Sequence, residues 1–161
     1  MAGLIEIYTD GSSLGNPGPG GYGVVMMSGK HRKELSAGYR LTTNNRMELM
    51  AVIAALGEIK KRDMKIIIKT DSQLIINTLT KGWLESWVKK GWKKADKKPV
   101  LNRDLWEKVI DLKEGLNIEW QWVKAHCGIE ENERCDELAK DAAVTEPLLI
   151  DEVYERGLLK E

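Results

Sequence analysis

The 161-residue sequence predicts an α/β domain. Apolar runs of strand length alternate with longer segments whose apolar residues recur at helical spacing. Three of the runs follow one another with only short turns between them, which implies an antiparallel meander. A fourth contains Ile66-Ile67-Ile68, apolar without a break. Such a run is expected of a central strand buried on both faces beside a parallel neighbour.

The elements fall in order. Leu4 to Asp10 reads as the first strand, ending in Thr9-Asp10, after which Gly11 permits a sharp change of direction. Gly15-Asn16-Pro17-Gly18-Pro19-Gly20-Gly21 is a dense turn. It is not a nucleotide P-loop, because the Gly-Lys-Ser/Thr ending is missing and a strand follows where a helix is needed. Tyr22 to Met27 and Lys33 to Tyr39 are the second and third strands, joined at Gly29-Lys30-His31. Thr42-Thr43-Asn44-Asn45 starts a helix, and Arg46 to Lys61 continues it with Leu49, Val52, Ile53, Leu56 and Ile59 on one face. Lys65 to Thr70 is the fourth strand and Ser72 to Thr80 a short helix. Asp104 to Lys113 is a helix, Asn117 to Val123 the fifth strand, and Lys124 to Glu130 a loop carrying His126 and Gly128. Glu133 to Val144 is the last long helix, and Pro147 ends its pattern. Residues 1–145 thus form one domain and 146–161 a charged C-terminal tail, in which Asp151 to Glu161 has the length and composition for a frayed helix.

Composition narrows the function classes. Hydrophobic residues make up 42% of the chain, enough for one domain with its own core. No apolar run approaches twenty residues, so no membrane span is expected. The N-terminus lacks the basic and apolar segments of a secretory signal, and Cys127 and Cys135 read as reduced thiols, so a cytoplasmic location is expected. His126, Cys127 and Cys135 match no structural zinc spacing. Twenty-five basic residues balance twenty-five acidic ones, yet the charge is unevenly spread. Seven lysines lie between Lys81 and Lys98 against Glu85 and Asp96, while the chain from Glu130 onward is acidic. Trp83, Trp87 and Trp92 interleave with Lys89, Lys90, Lys93 and Lys94. Lysines for phosphates and indoles for bases or sugars suit a nucleic-acid strand. The bland alternative is a solvated helix whose Trp83 and Trp87 pack inward.

Four acids stand out. Asp10 and Asp71 each follow an apolar run and a threonine, and each precedes a small residue. Two strands ending this way would hold two carboxylates side by side, and their repulsion calls for a divalent cation, magnesium or manganese by preference for hard oxygen ligands. Glu48 is three residues past Asn45 and reads as a capping-box residue. Its neighbours one turn on, Ala51, Val52 and Ala55, place it instead on the packed side of the helix. Asp136 reads as a first-turn aspartate favoured by the helix dipole. Singly, each acid has a structural explanation. Jointly they point to a cation site.

These residues carry a resemblance. Tyr8-Thr9-Asp10-Gly11-Ser12, Gly15-Asn16-Pro17-Gly18-Pro19-Gly20-Gly21, Thr42-Thr43-Asn44-Asn45-Arg46-Met47-Glu48-Leu49, Thr70-Asp71-Ser72-Gln73, Trp92-Lys93-Lys94-Ala95-Asp96-Lys97-Lys98-Pro99-Val100 and Asn132-Glu133-Arg134-Cys135-Asp136 occur in the order seen in type 1 ribonuclease H, the bacterial form with a basic protrusion. The resemblance runs from Ile5 to Ala143. It implies the ribonuclease H-like fold, a mixed five-stranded sheet with three antiparallel strands plus two more, flanked by helices, with the protrusion at about 81–98. It implies a monomeric endonuclease that hydrolyses the RNA strand of RNA–DNA hybrids with two magnesium ions, or manganese, once substrate is bound.

The implied quartet is Asp10, Glu48, Asp71 and Asp136. Asp10 would bridge both ions, Asp136 would help hold the one on the attacking side, and Glu48 and Asp71 the one on the leaving side. His126 would move a proton or aid product release. Asn16, Asn44, Asn45 and Gln73 match positions near the minor groove, where an amide suits a 2′-hydroxyl. Thr43 and Asn102 match a pocket for a DNA-strand phosphate. Leu41 departs from the family at a position in that pocket where arginine is common, with Arg40 beside it, and Ser13 stands where some relatives have cysteine. The rival readings are another nuclease, resolvase or transposase of the same fold, and a non-catalytic hybrid- or double-stranded-RNA-binding module. The first lacks the Asn44-Asn45 and Lys93-to-Lys98 motifs, and the second requires a broken quartet.

Overall fold

The computed structural model describes residues 3–159. Strands β1 (Leu4–Ser13), β2 (Gly18–Ser28) and β3 (His31–Thr42) form the expected antiparallel meander. Helix α1 (Asn44–Gly57) leads to β4 (Lys65–Thr70), α2 (Gln73–Thr80), α3 (Trp83–Lys89), α4 (Arg103–Lys113), β5 (Asn117–Trp122), α5 (Glu130–Val144) and α6 (Glu152–Leu159). The sheet order is β3-β2-β1-β4-β5, with β4 parallel to both β1 and β5.

The main core lies on one face, where α1 and α4 cover Ile7, Val24, Ile66 and Ile68, all fully buried, beside Leu49, Val52 and Trp106. Helix α5 covers β1, β2 and β3 on the other face, with its Cys135 packed against Tyr8 and Val25. Because α5 stops short of β4 and β5, Ile67 is only half-buried, and β4 is sealed on one face instead of the expected two. Cys135 donates from Sγ to the Tyr8 carbonyl at 3.2 Å, and burial pushes its thiol pKa up.

Other boundaries shift for nonlocal reasons. β1 does not end at Asp10, and Gly11 does not turn the chain. β2 supplies antiparallel partners as far as Ser13↔Gly20, so β1 runs past the last parallel pair with β4, Thr9↔Thr70. Gly11 serves close approach instead. A Cβ there would sit 2.3 Å from the Glu48 backbone nitrogen. α1 stops at Gly57, short of Lys61. α5 begins at Glu130, three residues earlier than expected, with Glu130, Glu131 and Glu133 favourable to the positive end of its dipole.

The basic segment is rooted in the core. Leu84, Trp92 and Val100 are buried, and the Arg103 guanidinium lies over the Trp92 ring at 5.2 Å. Trp87 is half-buried, edge-on to Trp106 at 6.0 Å between ring centroids, so it takes the inward-packing role, whereas Trp83 remains exposed. Lys89, Lys90 and Lys93 are exposed. The C-terminal segment is not a loose tail. Leu149 exchanges backbone hydrogen bonds with the β3 edge, donating to Gly38 O at 2.8 Å and accepting from Arg40 N at 2.9 Å.

α5 lies so close to β2 and β3 that glycine is required beneath it. A Cβ on Gly38 would stand 1.9 Å from the Ala142 carbonyl oxygen. Gly38→Ala should therefore destabilise the protein by about 1–3 kcal/mol, measured by urea unfolding. Parent-like stability would show that α5 yields easily.

Candidate active site

The mixed strand order brings the ends of two strands together. β1 and β4 run parallel in register up to Thr9↔Thr70, so the next residue of each, Asp10 and Asp71, stand side by side. In open α/β sheets, ligands gather at the carboxyl ends of parallel strands. Glu48 reaches the same place from α1. The cap of that helix is Thr43, whose Oγ1 accepts from Arg46 N at 3.2 Å. Glu48 therefore lies beyond the capping-box position. It is 5% exposed, on the packed side, and its Oε2 has no hydrogen-bond partner.

Ligand oxygens of Asp10, Glu48 and Asp71 lie within 4.8 Å of one another. Asp10 is also 5% exposed, with Oδ1 accepting from Gly11 N at 2.9 Å. Asp136 stands on the same cleft but outside this tight trio. With α5 starting at Glu130, Asp136 occupies the second turn, so a first-turn dipole role is not its explanation. Lys140, one turn on, pairs with it at 2.9 Å and lines the cleft. That lysine was absent from the sequence-based site, although its spacing from Asp136 is the ordinary one for a helical ion pair.

His126, Asn44, Asn45 and Gln73 line the same cleft. His126 is exposed on its loop and holds a left-handed backbone, φ 54°. Asn16 sits behind Asn44, its Oδ1 accepting from Asn44 N at 3.1 Å. Asn102 starts α4 with φ 62° and accepts from Arg46 Nη1 at 3.3 Å. Thr43, Asn102, Trp83, Trp87, Lys89, Lys90, Lys93 and Lys94 lie outside the cleft lining. Among the described residues, no cation cluster involves His126, Cys127 and Cys135.

The electrostatics follow from burial and crowding. Burial, then the Asp71 charge, pushes the Asp10 pKa up to about 7 against the pull of its hydrogen bonds. Burial and the charges of Asp10 and Asp71 raise Glu48 as well. Asp71 is raised by burial and partly drawn back by His126. An all-oxygen donor set, an unpartnered buried carboxylate oxygen and mutual repulsion together fit a hard divalent cation.

These shifts set a pH dependence. The folded, cation-free protein retains protons that the unfolded chain releases near pH 4, so the stability contributed by Asp10 is complete below about pH 4 and is lost as pH rises through about 7, and the raised Glu48 and Asp71 act in the same direction. Asp10→Asn keeps the acceptor for Gly11 and removes one charge. In chelator it should be about 1–3 kcal/mol more stable than the parent at pH 8, converging with it below pH 4. Urea unfolding across that range is the measurement, and an Asp10→Asn protein no more stable at pH 8 would refute the repulsion.

Comparisons with known proteins agree with this geometry. The ribonuclease H family profile (RNase H) matches residues 3–144. The chain is 53% identical over 150 residues to a ribonuclease H of Idiomarina loihiensis, covering 93% of this chain and 94% of the relative. It is 56% identical over 151 residues to a ribonuclease H of Pectobacterium atrosepticum, covering 94% and 96%. The crystal structure of LC9-RNase H1, a type 1 RNase H with the type 2 active-site motif, superposes with a TM-score of 0.78 at 33% identity, over 89% of this chain and 73% of that one. LC11-RNase H1, solved in complex with RNA/DNA hybrid, gives 0.66 at 30% identity, over 86% and 96%. Strand order, buried carboxylates and sequence agree, and the chain belongs to the ribonuclease H family.

Proposed function

We propose that this endonuclease cleaves the RNA strand of RNA–DNA hybrids as a cytoplasmic monomer, with two magnesium ions that manganese can replace. The observation that carries the reading is the trio of crowded carboxylates opening onto a cleft lined by Asn44, Asn45 and Gln73. Among the described residues no helix is long and apolar enough to cross a membrane.

Asp10, Glu48, Asp71 and Asp136 would hold the cations, with Asp10 central. When bound, the cations supply positive charge that favours ionisation of the attacking water and neutralises the leaving oxygen. The side-chain amides of Asn44, Asn45 and Gln73 donate and accept, which suits the 2′-hydroxyls that mark RNA. His126, exposed on its loop and lining the cleft, would give or take a proton. Thr43 and Asn102 would grip a DNA-strand phosphate. Lys89, Lys90, Lys93 and Lys94 would contact phosphates further along, with Trp83 offering an exposed ring. Trp87, packed on Trp106, supports that surface from beneath.

The test is cleavage of matched RNA–DNA, RNA–RNA and DNA–DNA duplexes, with magnesium and then with chelator. Only the RNA strand of the hybrid should be cut, and chelator or Asp10→Asn should abolish cutting while hybrid binding persists. Replacing Lys89, Lys90, Lys93 and Lys94 with alanine should raise KM, with little change in kcat. It should also flatten the log–log salt dependence of affinity by roughly 0.7–0.9 for each phosphate no longer neutralised. Full turnover by folded Asp10→Asn would end the reading, and parallel salt slopes would remove the lysines from the phosphates.

A further inference from the structure

The C-terminal segment is tied to the first turn of α1 by Arg46, among the described residues the side chain with the most side-chain hydrogen bonds. Arg46 is 3% exposed, and all five of its guanidinium hydrogens are used. Nε and Nη2 donate to the two oxygens of Asp151 at 2.7 and 2.9 Å. Nη1 and Nη2 donate to Asp104 at 2.9 and 2.8 Å, and Nη1 also to Asn102 at 3.3 Å. Asp151, 8% exposed, accepts a further bond from the Thr42 hydroxyl at 2.7 Å. Around this centre the segment is strapped down. Leu149 pairs with the β3 edge, Glu155 takes a bidentate bond from Arg40, and the Tyr154 ring lies 5.9 Å beneath the Arg46 guanidinium.

A buried ion pair stabilises a fold little compared with apolar packing, but it fixes geometry. Here the fixed part adjoins the cleft. Helix α1 is pinned from the far side at Met47–Glu48, where Gly11 lets β1 press against the helix backbone. The residues before that pin, Thr43 to Asn45, are held by the Thr43 cap, by Asn16 on Asn44 N, and by Thr42 and Arg46 through Asp151. Asn44 and Asn45 are exposed and line the cleft.

We propose that Asp151 is a positioning residue for substrate, holding Thr42 and Arg46 so that Asn44 and Asn45 stay set at the rim of the carboxylate cleft. This rests on the reading of that cleft as the hybrid site. Releasing Asp151 frees the turn that carries the asparagines, while Glu48 stays pinned by Gly11. Substrate grip is lost and the carboxylate cluster is kept.

The experiment compares parent, Asp151→Asn and Asn44→Ala/Asn45→Ala, alone and combined, well below the unfolding midpoint of each. Asp151→Asn should raise KM for the hybrid about ten-fold with kcat within about two-fold of the parent. In the Asn44→Ala/Asn45→Ala background the same change should add much less, because the asparagines it positions are gone and only Thr43 and Asn102 remain to be disturbed. Arg156→Ala, which breaks only an exposed pair with Glu152 in the same segment, should leave KM at the parent value. A purely structural role would lower the unfolding midpoint yet leave KM untouched, or multiply independently with the asparagine changes, and either result overturns the proposal. Should Asp151→Asn not fold, Thr42→Val, which removes one bond to Asp151 and keeps the Arg46 pair, takes its place. It should raise KM in the same direction by a smaller factor, and a parent-like KM overturns the proposal. A parent that neither binds nor cuts hybrid sinks the underlying reading as well. A parent that cuts hybrid, with a folded variant of equal KM, sinks the strap alone.

Discussion

Repulsion among Asp10, Glu48 and Asp71 is the constraint around which this fold is arranged. Asp10 and Glu48 are held away from water and Asp71 partly so, all three within reach of one another, and burial and neighbouring charge raise the pKa of each. Ionised together, such a cluster costs the fold stability, so its geometry must be imposed by surrounding structure. Three devices impose it. The parallel register of β1 and β4 sets Asp10 beside Asp71. The missing side chain of Gly11 admits α1 close enough for Glu48 to enter. The large apolar core beneath, with Ile7, Ile66, Ile68 and Trp106 fully or almost fully buried, offsets the cost.

The sheet divides the labour between its faces. α1 and α4 seal the side that supplies most of the apolar burial, while α5 covers only β1 to β3 and brings Asp136 and Lys140 to the cleft. The site thus opens where β1 changes partners, antiparallel to β2 on one side and parallel to β4 on the other. The same arrangement explains the uneven charge of a formally neutral chain. Lysines project from α3 and the loop after it, anchored by Leu84, Trp92 and Val100, while acids concentrate in α5 and the segment beyond it.

Much of this was legible in the residues because it depends on local pattern. The repeated Thr-Asp endings marked Asp10 and Asp71, and the small apolar neighbours of Glu48 put it on the packed side, as the structure shows. What escaped depends on residues far apart in the chain. β1 outruns Asp10 because β2 lies across from it, and no local signal says so. Trp83 and Trp87 look alike in sequence, and it is the contact of Trp87 with the distant core, Trp106 included, that separates them. Arg46 and Asp151 are 105 residues apart, so a segment that reads as a charged tail is in fact tied into the start of α1. Lys140 was within reach of a helical-spacing argument, but Asp136 read as a first-turn residue had its charge explained by the dipole and left no need for a partner.

The fold raises the proton affinity of these carboxylates, so a divalent cation must displace protons as it binds. Calorimetric titration of the full chain with magnesium at pH 6.5, repeated in buffers of different ionisation enthalpy, measures that exchange directly. Release of protons on binding at pH 6.5, decreasing as pH rises through about 7 and Asp10 ionises unaided, is the expected result. Magnesium binding at pH 6.5 with no proton release would mean that the cluster is already fully ionised, and would contradict it.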